Sequence, residues 1–166
     1  AGDKEQMARE THLVRQSGKR PVYNCPLLYQ LPGCNPNATD GDIVANTRAR
    51  ALPHIECAAA AGAELINIAS GPVPADDFVG QAWEGWLNFL EWFSREAGAR
   101  GLTAIIEPFD WTIGKGLLIG PTRDAVRSVE EVRKRGVESV ALMIDMGHLP
   151  IMGESFGSAI ALSMPY

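Results

Sequence analysis

Gly101-Leu102-Thr103-Ala104-Ile105-Ile106-Glu107-Pro108 reads as a glycine, a short apolar run and a carboxylate. A glycine that closes a helix in the left-handed conformation and opens a strand has this form. The same pattern stands at three other places: Gly18 before the run 22–31, Gly62 before 65–69 and Gly136 before 140–144. The glycines are 44, 39 and 35 residues apart, which suggests one supersecondary unit used repeatedly.

Between the runs the apolar spacing changes to that of a helix. Val79, Trp83, Trp86, Leu87, Leu90, Phe93 and Ala97 recur at three and four residues, the mark of an amphipathic helix. Ala125, Val129 and Val132 mark another, with Thr122 as its expected N-cap and Glu130, Glu131, Arg133 and Lys134 on its wet side. A third is expected from Asp42 to Ala61, kinked or restarted at Pro53, and the opening stretch from Asp3 to Gln16 reads as helical.

Strands that are continuously apolar and alternate with helices predict an α/β fold, a parallel sheet covered by helices. A doubly wound sheet and a (β/α)8 TIM barrel both satisfy this pattern. No GxGxxG or GxxxxGK[ST] follows any of the four strands, which removes the usual support for a nucleotide-binding doubly wound sheet. A whole barrel takes about 250 residues. Four βα units in 166 residues therefore predict an incomplete barrel, with 1–166 as a single partial domain and a last helix beginning near Phe156. Unpaired sheet edges in such a piece predict self-association.

The composition narrows the function. With 46% hydrophobic and 21% charged residues the chain can build one sizeable core. Fifteen basic against twenty acidic residues give a net charge of -5, the wrong sign for coating nucleic acid or an anionic membrane. Cys25, Cys34 and Cys57 are odd in number and form no CxxC pair, so a disulfide scaffold or structural zinc module is not expected. Apolar runs fall short of the roughly 18 residues of a membrane span. A soluble, cytoplasmic protein is the expectation.

Two of the runs end in carboxylates, Glu107 and Asp145. The C-terminal rim of barrel strands is where βα-loops converge and active sites are built. Adjacent parallel strands lie about 4.8 Å apart, so two carboxylates there repel unless a cation or a shared proton intervenes. Parity puts Asp145 on one face with Ala141 and Met143, and Glu107 with Thr103 and Ile105; the alternate residues, among them Ala104, Ile106, Val140 and Leu142, would then meet the helices. His148, three residues past Asp145, suits a metal or a substrate oxygen. His12 and His54 have no acidic or cysteine partner at ligand spacing and read as structural or solvated.

The runs 101–108, 118–122 and 144–149 together resemble the sugar isomerase and epimerase family of xylose-isomerase-like barrels, a resemblance spanning about 43–162 and strongest over 101–153. The resemblance implies that Glu107 and Asp145 are divalent-metal ligands, that Glu107 also handles a substrate proton, and that His148 contacts a substrate oxygen. It places the four strands as the third to sixth of the barrel. The family's remaining ligands, a His and a second Glu, come from its last two strands. It further implies proton transfer between adjacent carbons of a hydroxy-ketone through a cis-enediolate.

Oxygen donors favour Mn2+ or Mg2+, with Zn2+ or Co2+ as alternatives. The expected partner is a small sugar or polyol, with no nucleic acid and no membrane, in a homo-oligomer. Lys115 and Trp111, in the loop after Glu107, are weaker substrate-binding candidates. Asn24 and Asn67 either face the barrel interior or satisfy backbone groups. Trp83, Trp86 and Trp92 read as core and subunit-contact residues. A lyase or dehydratase on the same metal barrel and a non-catalytic remnant are the competing readings.

Overall fold

A computed structural model describes residues 4–166, apart from some side chains of the first helix. The chain runs α1 (Lys4–Gln16), β1 (Val22–Asn24), α2 (Gly41–Ala60), β2 (Leu65–Ile68), α3 (Val79–Gly98), β3 (Thr103–Ile106), α4 (Thr122–Lys134), β4 (Val140–Leu142) and α5 (Phe156–Ser163). The four strands form one parallel sheet in the order β1-β2-β3-β4. Each crossover carries a helix, as parallel pairing requires. The expected start at Asp3 lies outside the described residues.

Gly18, Gly62, Gly101 and Gly136 have φ of 66°, 73°, 76° and 79°. That is the left-handed region where a side chain is strained, so each junction from helix to strand needs its glycine. The strands are shorter than their apolar runs. Cys25 N still donates to Asn67 O at 3.2 Å, and the chain then leaves the sheet and forms a 3₁₀ turn at Leu28–Gln30, where a strand to Leu31 was expected. Pro26 and Pro32 have no amide proton to give a neighbouring strand.

α2 is continuous through Pro53, with no restart, and Asp40 caps it by accepting from the amides of Asp42 and Ile43 at 3.0 and 3.1 Å. Thr122 does not cap α4. It is the first helical residue, and both its amide and its hydroxyl donate to the Glu154 carboxylate, at 3.1 and 2.8 Å. A carboxylate brought from 32 residues downstream thus serves the helix start.

Register decides which sheet face is which. Tyr23, Ile66, Ala104 and Val140 are level with one another, as are Ile68, Ile106 and Leu142. Except for the half-buried Tyr23 and Leu142 these are buried, and all join Ile55, Trp86, Leu90, Phe93 and Val129 in one core between sheet and helices. Trp86 is completely buried and its indole donates to Ser128 Oγ at 3.0 Å. Trp83 and Trp92 are half-buried at the edge of that core, stacked with Arg127 and Arg48. The opposite face carries Val22, Asn24, Asn67, Thr103, Ile105 and Ala141. Among the described residues no helix layer packs across it as on the other face: Val22 is 52% exposed and Thr103 and Ala141 are half-buried, while Asn67 and Ile105 at its centre are buried. That is the face that lines the interior of a (β/α)8 barrel.

Candidate active site

A second, smaller apolar cluster sits where the strands end: Ala69 after β2, and Phe109 and Leu117 after β3, with Leu27 and Tyr29 against them. It forms the floor of the C-terminal rim. Glu107 extends β3 by one residue, its amide donating to Ile68 O at 3.0 Å. Its half-buried side chain lies on the inner face, where Asn67 Nδ2 donates to Oε2. The same amide group donates to Asn24 Oδ1 at 3.0 Å. Asn24, Asn67 and Glu107 thus make a polar diagonal across three strands, with Asn67 buried and Asn24 exposed on the same inner face of the sheet.

β4 brings Asp145 to the neighbouring strand end. Met143 N donates to Ile106 O at 2.9 Å, which keeps the β3–β4 pairing going past the last strand residue. Asp145 follows on the same parity as Ala141 and Met143. It is exposed; its Oδ1 accepts from Gly147 N at 2.8 Å, and its carbonyl oxygen accepts from His148 N at 3.2 Å, which closes the turn 145–148.

His148 stands between two carboxylates. Its Nδ1 lies 3.2 Å from Asp110 Oδ2, its Nε2 lies 3.8 Å from Asp145 Oδ2, and its ring meets Phe109 edge to face at 4.9 Å. Asp110 was not among the residues singled out in the sequence. It has no exposed surface, and its Oδ1 accepts from the amides of Thr112, Ile113, Gly114 and Lys115 at 2.8–3.3 Å. Burial pushes the carboxyl up. The amides of Gly114, Lys115, Ile113 and Thr112 together outweigh it and hold the group below the usual carboxylate range. The readable signal was Asp110 followed within four residues by glycine, an acceptor before a tight turn.

Lys115 is brought near this group. Its Nζ lies 5.7 Å from the centre of the Phe109 ring that also carries His148. Trp111 turns elsewhere. Its Nε1 donates to Leu118 O at 3.1 Å, and the ring lines a cavity of about 600 Å³ with Trp83, Asp124 and Arg127, to which none of Glu107, Asp145 and His148 contributes. His12 is exposed, and His54 bonds Tyr23 at 3.0 Å on the helix side of the sheet.

Among the described residues no three His, Cys, Asp or Glu side chains converge as a metal-binding group. Glu107 and Asp145 are oxygen donors of the kind a hard divalent cation takes, and each has an oxygen that no described hydrogen bond engages. In kind they fit such an ion; in number they are two. Among the described residues no helix is long and apolar enough to cross a membrane.

No curated protein matches the sequence. Solved structures do. A D-psicose 3-epimerase from Clostridium cellulolyticum H10, in a structure with D-tagatose, is 21% identical over 99% of this chain and 56% of its own, with a TM-score of 0.80. An L-ribulose 3-epimerase is 16% identical over 95% and 51%, at 0.77. A family 2 AP endonuclease from Brucella melitensis is 18% identical over 91% and 57%, at 0.71. The chain thus spans about half the length of these structures, which share its fold. The family described as a xylose isomerase-like TIM barrel matches residues 5–164, nearly the whole sequence. With four parallel βα units in sequential order and an open inner face, the chain belongs to the xylose isomerase-like TIM barrel family.

Proposed function

We propose that this chain carries part of the active centre of a divalent-metal-dependent isomerase or epimerase acting on a ketose or sugar acid. The observation that carries the reading is the placement of Glu107. It is a carboxylate on the interior face, oriented by Asn67, at the end of a strand whose neighbour ends in Asp145. Sugar epimerases among the solved structures of this fold support the same substrate class.

In this reading Glu107 and Asp145 would hold Mn2+ or Mg2+ through their oxygens. When bound, the ion supplies charge that acidifies the carbon beside a ketose carbonyl. Glu107 takes the proton from that carbon, and the Asn67 amide holds its carboxylate on the inner face while it does so. A second carboxylate returns the proton to the neighbouring carbon or to the opposite face. His148 bonds a substrate oxygen, and Lys115 steadies the distal end of the sugar. Phe109 gives the rim an apolar floor that restricts water.

The test is exchange of substrate hydrogen with deuterated water in the intact protein loaded with Mn2+, across a panel of ketoses. Glu107→Gln keeps the size of the side chain and loses the base, so exchange falls by about 10²–10⁴-fold. Lys115→Ala mainly raises KM. Undiminished exchange in the Glu107→Gln protein removes Glu107 from the proton path.

A further inference from the structure

Asp110 is enclosed, charged and touches His148, yet it does not face the reacting carbon in the reading above. A carboxylate only accepts hydrogen bonds. With Oδ1 taken by four backbone amides and Oδ2 by Lys115 N and His148 Nδ1, the ring nitrogen at 3.2 Å is the donor. A neutral imidazole has one N–H, so with the proton on Nδ1 the lone pair sits on Nε2. Nε2 lies 3.8 Å from Asp145 Oδ2, beyond hydrogen-bond reach, so that carboxylate does not claim the ring proton.

We propose that Asp110 is a positioning residue that locks His148 in the Nδ1–H form, so that the nitrogen offered to substrate is an acceptor and meets a sugar hydroxyl rather than a carbonyl oxygen. The inference rests on the reading of His148 as a substrate contact, whereas the locked ring form stands on the geometry alone. The turn 110–116 is built around this carboxylate. Gly114 is required because a Cβ there lies 2.8 Å from Asp110 Oδ2, and Gly116 sits at φ 62°. The four amides bind the charge in a fixed direction, much as a carboxylate behind a metal-bound or catalytic histidine sets its orientation.

Asp110→Asn separates the two demands on the side chain. An amide has a single oxygen, which the four backbone N–H groups claim, so its NH2 faces His148 and donates to Nδ1. The ring proton then moves to Nε2. The experiment is long-range ¹H–¹⁵N correlation on the histidine-labelled, metal-free chain at about pH 8, above the ordinary imidazole value of about 6.5. The His148 signals are assigned by their loss in His148→Gln.

The expected result is Nδ1–H in the wild type and Nε2–H in Asp110→Asn, with His12 and His54 unchanged. Nε2–H in the wild type overturns the proposal, as does an unaltered ring in a folded Asp110→Asn. Should that variant fail to fold, the wild-type spectrum alone decides. In the intact enzyme, Asp110→Asn lowers kcat by 10²-fold or more with little change in KM, and a KM effect alone refutes the hydroxyl assignment. The spectra need no metal and no turnover. A failure of the Glu107 exchange test therefore leaves the ring assignment intact, and a wrong ring form leaves the role of Glu107 untouched.

Discussion

The side-chain amide of Asn67, on β2, is divided between Asn24 on one side and Glu107 on the other. It has two N–H groups and uses both, while its own buried oxygen has no described partner. The side chain therefore acts as a donor bridge, and its value depends on the negative charge it faces.

Asn67→Asp replaces that bridge with a second carboxylate against Glu107. Like charges at this distance should destabilise the fold by about 1–3 kcal/mol at neutral pH in the presence of a chelator. Most of that loss should vanish below about pH 4, where carboxylates protonate. Denaturant melts at both pH values measure it, and an equal loss at both would show that charge is not the cause.

Gly114→Ala should lower stability by about 1–3 kcal/mol, because the added methyl meets the Asp110 carboxylate at 2.8 Å. Gly80→Ala in α3 meets nothing within 4 Å and should raise stability by roughly 0.5–1 kcal/mol through helix propensity. Thermal melts of the pair distinguish a crowded glycine from a free one.

Acid should weaken the rim before it unfolds the core. The Asp110 carboxyl is held below its unfolded value of about 3.9. Its stabilisation is therefore complete above that pH and is lost as pH falls toward the folded value, since the unfolded chain takes up the proton first. Amide exchange of 112–115 measured from pH 6 down to pH 3 should show protection falling there earlier than in β3, and Asp110→Asn should abolish the difference.

Mn2+ should raise the melting temperature of the wild-type protein in proportion to the logarithm of its free concentration. The shift should shrink in Asp145→Asn and in Glu107→Gln, while Asp124→Asn, in the separate cavity beside Trp111, keeps it. Equal shifts in all four proteins would mean that the ion binds elsewhere.

Glu154→Gln should cost about 1 kcal/mol or more, since Thr122 N and Oγ1 then share a neutral acceptor in place of a charged one at the start of α4. Chemical denaturation reads the loss, and loss of the difference in high salt would identify its electrostatic part.

Much of this architecture was legible because its signals are local. A positive-φ glycine with an apolar run after it marks each strand start, and the alternation of Ala104 and Ile106 with Thr103 and Ile105 assigns the two faces. The parts that were not legible depend on partners far along the chain. Thr122 looks like a cap until Glu154 arrives from the turn before α5. Asp110 looks like an ordinary loop residue until β4 delivers His148 across 38 positions. The over-long first strand had a local warning, Pro26, which the apolar run of 22–31 masked. Trp111 sits next to Asp110 in sequence yet turns the other way, because its indole N–H finds Leu118 O rather than the rim.

The two faces of the sheet also divide the mutational tolerance of the chain. Substitutions at Ile66, Ala104, Ile106 and Val140 press directly on the helices and should be rejected for reasons of folding. Thr103 and Ala141 point the other way, into space that no described helix fills, and Met143 follows on the same parity. A library randomised at these three positions, with Asn67, Glu107 and Asp145 held fixed, varies the open face while leaving the packed layer as sequence and selection have already solved it.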